Sequence, residues 1–269
     1  MSLPEPPPGS DPPRSDPPRS DPPGDQSVTE DRLLGGRVRL RQPAHGARVA
    51  IDPVFLAASV AAEPTHQILD AGCGSGAAML CLAARVPQCR ITGLEMQRDL
   101  VRLAGDNALL NGMGDRLSVM VGDLLQPPPR LSPGSFDHVM ANPPFIERGR
   151  GSEVLNPARA AATIEGDAAL REWVRFALVM ARSKGTVTFI HRADRIDALL
   201  GQLAGRAGGV VIFPLWPRAG QPASRVLVQA RKQYAAPARL APGLVLHEAD
   251  GRFTAAAEAV LRGGEALVL

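Results

Sequence analysis

The chain has 269 residues, 45% of them apolar, with a net charge of +3 at pH 7 and three cysteines. That is enough to bury the core of one large domain or two small ones. No run approaches the roughly 18 apolar residues of a membrane span, the first residues carry neither the basic nor the apolar region of a secretory signal, and Cys73, Cys81 and Cys89 form no CxxC pair, against a disulfide framework or a zinc site.

The chain opens on a proline-rich tail, residues 1–28, in which the unit SDPPR recurs with almost no apolar side chains. Such a segment cannot bury enough surface to offset its ordering entropy and is expected to be disordered or extended polyproline, a solvated tail more than a docking ligand. Met1 to Asp31 holds seven acids and two bases, so taking −5 from +3 leaves +8 on the remainder. Nearly all of those cations are arginine, the side chain suited to bidentate phosphate contacts and to stacking.

From His66 onward short apolar runs alternate with helical ones. Strands are expected over 67–71, 90–95, 117–122, 136–141, 185–190, 209–214 and 225–230, with helices over 77–86, 97–112 and 168–183. The stretch from Arg239 to Gly263 reads as a closing ribbon and helix. Strand and helix in alternation imply a doubly wound α/β domain over 29–269, with a mostly parallel, seven-stranded sheet and helices on both faces.

The first strand of this series ends in DAGCGSGA, Asp70 to Ala77. Gly72, Gly74 and Gly76 let the turn approach a ligand, and the following helix offers its first N–H groups. The same residues satisfy the G-x-G-x-x-A form of a dinucleotide fingerprint, so a nicotinamide oxidoreductase is one reading. Asp70 separates the two: a carboxylate beside the turn is badly placed against a pyrophosphate and well placed against ammonium and sulfonium charges. S-adenosylmethionine fits that description. Glu95, at the end of the next strand, has two oxygens for the two ribose hydroxyls. Asp123, after the third, stands where the adenine amino group needs an acceptor. All three fall at carboxyl strand ends, the edge at which open α/β sheets bind ligands.

The fourth strand runs into NPPF, Asn142 to Phe145. The exocyclic amine of an aromatic ring is a poor nucleophile because its lone pair is delocalised; two acceptors gripping its two N–H groups free that pair. The Asn142 side-chain oxygen is one acceptor. The Pro143 carbonyl, held in direction by Pro144, is the other. Phe145 offers a flat face for a flipped-out base, and alignment of the reacting atoms then supplies much of the rate.

Taken together, DAGCGSG, GLE, GDLL and NPPF resemble the class I S-adenosylmethionine-dependent methyltransferases that act on exocyclic amino groups. The stretch GARVAIDPVFLAASV, Gly46 to Val60, narrows the resemblance to the tRNA1(Val) adenine N6-methyltransferases, with Phe55 where an aliphatic residue is usual. TEDRLLGGRVRLRQP, Thr29 to Pro43, looks like the opening strand of the same group. The resemblance implies that Asp52 lies near the methionine end of the cofactor and that the acceptor is an adenine of tRNA or other structured RNA in the cytoplasm.

Other acceptors share the NPPF turn. A release-factor glutamine methyltransferase needs the same grip on an amide, but its relatives carry a folded helical domain where this chain has a proline tail. DNA adenine or ribosomal RNA guanine methylation remains open, as does a non-catalytic RNA-binding protein on this fold, although Asp70, Glu95 and Asn142 are all present. Arg148, Arg150 and Arg159 follow the motif in a glycine-containing loop suited to flanking phosphates, with Arg218 a weaker candidate and Trp216 a packing residue. The five histidines fit no ligand spacing, so no metal is expected.

Overall fold

A computed structural model of the protein describes residues 28–44, 49–144, 146–147, 164–165 and 167–269. The expected tail up to Ser27, Phe145, and the three loop arginines Arg148, Arg150 and Arg159 lie outside the described residues, and Val28 already opens the first strand.

The opening segment is a hairpin and not one strand. β1 (Val28–Leu33) and β2 (Val38–Pro43) pair antiparallel. Leu34, Gly35 and Gly36 turn the chain between them with φ of 51°, 65° and 95°. Two adjacent glycines tolerate a run of positive φ, and it reverses the backbone between Leu33 and Val38.

Next comes α1 (Asp52–Ser59), with Pro53 in its first turn, where a missing N–H costs nothing. The alternating series follows: β3 (Gln67–Ala71), α2 (Ala77–Arg85), β4 (Arg90–Glu95), α3 (Arg98–Leu110), β5 (Leu117–Val121) and β6 (Phe136–Ala141). Two short strands, β7 (Ile146–Glu147) and β8 (Ile164–Glu165), pair with each other apart from the main sheet. Then α4 (Asp167–Met180), β9 (Ala181–Arg192), α5 (Ile196–Leu203), β10 (Ala207–Trp216) and β11 (Arg225–Lys232) complete the long elements. The chain closes with β12 (Arg239–Leu240), β13 (Leu244–Val245) and α6 (Ala255–Leu261).

The main sheet has the order β12-β10-β11-β9-β6-β3-β4-β5, with β13 also on β10. Its seven long strands are the seven expected; β11 alone runs against the others. The anticipated closing ribbon differs. β12 and β13 do not pair with each other, but each lies parallel along β10. Pro242 and Gly243 carry the chain from one to the other, and the Trp216 indole N–H donates to the Pro242 carbonyl at 3.1 Å, so Trp216 pins the crossing.

Strand residues alternate between two cores. Ile68, Met140 and Ile190 face α1, α2 and α6, while Leu69, Val139 and Phe189 face α4 and α5. Both faces are covered, which is why the central strands read as nearly continuous apolar runs. Cys73, Cys81 and Cys89 are buried in the first core and unpaired.

At the lower end of the sheet, His66 Nδ1 and His138 Nε2 lie 2.9 Å apart, and His138 Nδ1 is 2.7 Å from the Thr186 hydroxyl. Burial pushes the His138 pKa down to about 4, with the His66 charge, Arg182 and Arg231 adding to the effect and Asp137 opposing it. An unfolded histidine protonates near pH 6.5, the folded one only near pH 4, so in that interval the unfolded state holds the extra proton and acid destabilises the native state. Thermal unfolding followed from pH 7 to pH 4 should show a loss approaching roughly 3 kcal/mol from this residue, and His138→Gln should remove that part of the slope.

Candidate active site

The parallel register between β3 and β6 sets the site. Ala71 pairs with Ala141, so Gly72 and Asn142 leave the sheet side by side. β4 flanks β3 on its other side and β5 flanks β4. The four polar residues expected at carboxyl strand ends therefore stand in spatial order Asn142, Asp70, Glu95, Asp123. Three strand spacings, roughly 14 Å, separate the first from the last. This is the reach of an adenosine bearing an amino-acid arm.

Gly72, Gly74 and Gly76 all have positive φ, at 67°, 55° and 91°. The Gly72 and Cys73 N–H groups donate to the Leu94 carbonyl at 2.8 and 3.1 Å, which ties the turn to β4. Open space surrounds Gly74, whereas a Cβ on Gly72 would come within 2.3 Å of the Trp173 ring. Trp173, from α4, thus lies against the turn next to the strand that delivers Asn142. Nothing in the sequence marked it: it follows the motif by some 30 residues and reads as one apolar position of an amphipathic helix.

Asp70 is buried and its Oδ2 has no hydrogen-bond partner among the described residues. Burial drives its pKa up to about 8; the Met79 backbone N–H, from the first turn of α2, pulls the other way, and the neighbouring Glu95 carboxylate raises it further. A buried acid with one unsatisfied oxygen is costly to a fold unless a ligand answers it. The Asn142 Oδ1 is likewise buried and without a partner among the described residues. Pro143 is buried behind it and Pro144 half-buried.

Glu95 accepts from Gly74 N–H at 3.1 Å through Oε2 and from Gln97 N–H at 3.0 Å through Oε1. Each oxygen keeps a further lone pair for a hydroxyl. Asp123 caps its own turn, Oδ1 accepting from Leu125 N–H at 2.9 Å. Met96 and Leu125, 63% and 60% exposed, are large apolar side chains placed directly after Glu95 and just after Asp123, where a flat heterocycle would cover them. An apolar residue following a strand-end acid in a loop was the available signal for both.

Asp52 is not in this row. It sits at the start of α1, where the helix N-terminus favours a carboxylate, and Arg225 of β11 holds its Oδ2 at 2.9 Å. β11 is two strands away from β6 on the side opposite to Asp70. Arg218 is exposed in the β10–β11 turn, on the same edge of the sheet but farther out.

The residues fit S-adenosylmethionine: a buried carboxyl with one oxygen unpaired among the described residues for a cation, an open glycine for a close-lying chain, and a carboxylate with spare lone pairs for a ribose. Two glycine substitutions separate fold from ligand. Gly72→Ala should lose roughly 2–3 kcal/mol in urea unfolding, from the collision with Trp173 and the positive φ. Gly74→Ala should lose only about 1 kcal/mol yet weaken binding of S-adenosylhomocysteine, read by calorimetric titration.

Comparison with known proteins agrees with this geometry. Residues 47–192 match the family model described as the methyltransferase small domain. A tRNA1(Val) (adenine(37)-N6)-methyltransferase of Actinobacillus pleuropneumoniae is 27% identical over 213 residues, covering 78% of this chain and 86% of that one. The protein of the same name from Aeromonas hydrophila is 28% identical over 217 residues, covering 77% and 85%. Among solved structures, a predicted O-methyltransferase from Agrobacterium tumefaciens superposes with a TM-score of 0.68 at 26% identity, covering 81% of this chain and 98% of that one. The match to the family model spans more than half of the chain, and the chain belongs to the methyltransferase small domain family.

Proposed function

We propose that the protein methylates the exocyclic N6 of an adenine in tRNA, of the tRNA1(Val) adenine-37 kind named in its relatives, and that it acts in the cytoplasm. The observation that carries this reading is that Asn142 Oδ1 and Asp70 Oδ2, at the ends of adjacent strands, are both buried and without a hydrogen-bond partner among the described residues. S-adenosylmethionine supplies an electrophilic methyl on a sulfonium. The chain's part is to hold two partners in line. Asp70 would hold the cationic arm, Glu95 the ribose and Asp123 the adenine amino group, with Met96 and Leu125 as apolar walls. Asn142 Oδ1 and the Pro143 carbonyl accept the two N–H groups of the acceptor amine, so that its lone pair points at the methyl. After transfer the nitrogen loses one proton to solvent.

Phe145 as the stacking face, and Arg148, Arg150 and Arg159 as phosphate contacts, rest on the sequence. The resemblance to a predicted O-methyltransferase raises a hydroxyl acceptor. A hydroxyl has one hydrogen and lone pairs that are already free, so it has no use for two adjacent acceptors; an amine does.

The deciding experiment offers tritiated S-adenosylmethionine with total tRNA, total protein and genomic DNA in separate reactions. Label in tRNA, recovered as N6-methyladenosine, is the expected result; label in a protein of release-factor size, in DNA or on a hydroxyl would replace the reading. Asn142→Ala should cut turnover by about 100-fold or more while cofactor affinity changes little.

Asp70 gives a second, independent test. With its pKa at about 8 in the free protein it is mostly protonated at pH 7. Cation binding requires the ionised form, so binding should release close to one proton at pH 7, and affinity should climb as pH rises towards 8 and then level off. Titration calorimetry in buffers of different ionisation enthalpy measures that proton, and Asp70→Asn should abolish its release.

A further inference from the structure

The carboxamide of Asn107, on α3, is fully buried and joins three elements. Its Oδ1 accepts from Arg41 N–H at 2.8 Å, and its Nδ2 donates both to the Arg41 carbonyl at 2.8 Å and to the Ser75 carbonyl at 2.9 Å. Arg41 lies on β2, and Ser75 lies between the open Gly74 and Gly76, the residue that caps α2. One turn further on, Asn111, the residue that caps the carboxyl end of α3, repeats half of this pattern. It accepts from Arg39 N–H at 2.8 Å and donates to the Arg39 carbonyl at 2.7 Å, but its second donor goes to the Asn107 carbonyl and not to the glycine turn. The two side chains, four residues apart on one helix face, thus act together as a strand along the free edge of β2.

Apart from the Cys73 thiol, a weak donor 3.8 Å from the Gly74 carbonyl, the side chains that hold the Gly74–Gly76 segment among the described residues are Glu95, through Gly74 N–H, and Asn107, through the Ser75 carbonyl. Glu95 faces the cleft. Asn107 has no exposed surface and cannot touch a ligand. We propose that Asn107 is a positioning residue for cofactor binding: it fixes the peptide between Gly74 and Gly76 and couples the occupancy of the turn to the β1–β2 hairpin through Arg41. This rests on the glycine turn being the S-adenosylmethionine site. Without the Ser75 bond, the glycine-rich turn samples conformations that the ligand must then exclude, and affinity falls by the fraction that remains competent. The carbonyl, left buried and unanswered, also turns the peptide towards other donors.

Asn111 is the built-in control, because it grips β2 in the same way without reaching the turn. Asn107→Ala and Asn111→Ala should both lower the thermal unfolding midpoint. Binding of S-adenosylhomocysteine, measured by calorimetry, should weaken about fivefold or more in Asn107→Ala and stay within about twofold of the parent in Asn111→Ala. On the unaltered protein, amide exchange followed by NMR should show S-adenosylhomocysteine slowing the Arg41 N–H, bound to Asn107, more than the Arg39 N–H, bound to Asn111. This second measurement stands even if Asn107→Ala fails to fold. Equal loss of affinity in both variants, unchanged affinity in both, or equal slowing of the two amides would overturn the proposal. Failure of the parent protein to bind S-adenosylhomocysteine would overturn the cofactor reading itself, and the proposal with it.

Discussion

Everything at the site follows from the register of two parallel strands. Because Ala71 sits opposite Ala141, the turn after β3 and the turn after β6 leave the sheet at the same height. Asp70 and Asn142 then each hold, at the same edge of the sheet, one buried oxygen without a partner among the described residues. A slip of one residue would send Asp70 or Asn142 to the opposite face, since side chains alternate along a strand. The register is enforced from both sides. Ile68, Met140 and Ile190 must face one core while Leu69, Val139 and Phe189 face the other.

Around that register the protein trades stability for a ready cleft. Burial that raises a carboxyl pKa to about 8 costs the fold stability near neutral pH, where the unfolded chain ionises it, and positive φ at three glycines confines the turn to conformations that other residues avoid. The restraints that hold this arrangement come from behind it. Leu94 accepts two N–H groups of the turn, Glu95 accepts a third, and Trp173 lies against Gly72 from the α4 side. On the proposed function, preorganisation of this kind would let one carboxylate face a cation and one amide oxygen face an amine without rearrangement during transfer. The rigid proline pair serves the same end, since Pro144 limits the backbone freedom of Pro143.

Legibility in the sequence tracked the range of the interaction. β3, β4 and β6 fall on the residues expected, because each is an apolar run bounded by turn residues and its signal is local. β9 begins at Ala181, four residues ahead of expectation, since α4 passes directly into it and no turn residue marks the change. The hairpin at the start was read as one strand from its resemblance to the opening strand of the family, and the Gly35-Gly36 reversal within it is short. α5, over Ile196–Leu203, was not expected: eight residues give too little periodicity to stand out. The placement of Asp70, Glu95, Asp123 and Asn142 at strand ends was legible, whereas the contacts of Trp173 and Asn107 with the glycine turn were not, because both reach it from helices about 30 or more positions away.

The sequence by itself determined the chemistry on offer: a glycine turn after an acid, further acids at the ends of the next two strands, and an asparagine fixed ahead of two prolines. Those are local patterns, and local sterics and charge decide them. Only the tertiary structure decided which of these groups stand together. It placed Asn142 beside Asp70 and bound Asp52 to Arg225. It also buried Asn107 between the turn and β2, where a single carboxamide answers groups from residues 41 and 75. Such pairings depend on strand order and on which helix covers which face, and these are fixed by burying both faces of the sheet at once. No window of sequence contains that condition.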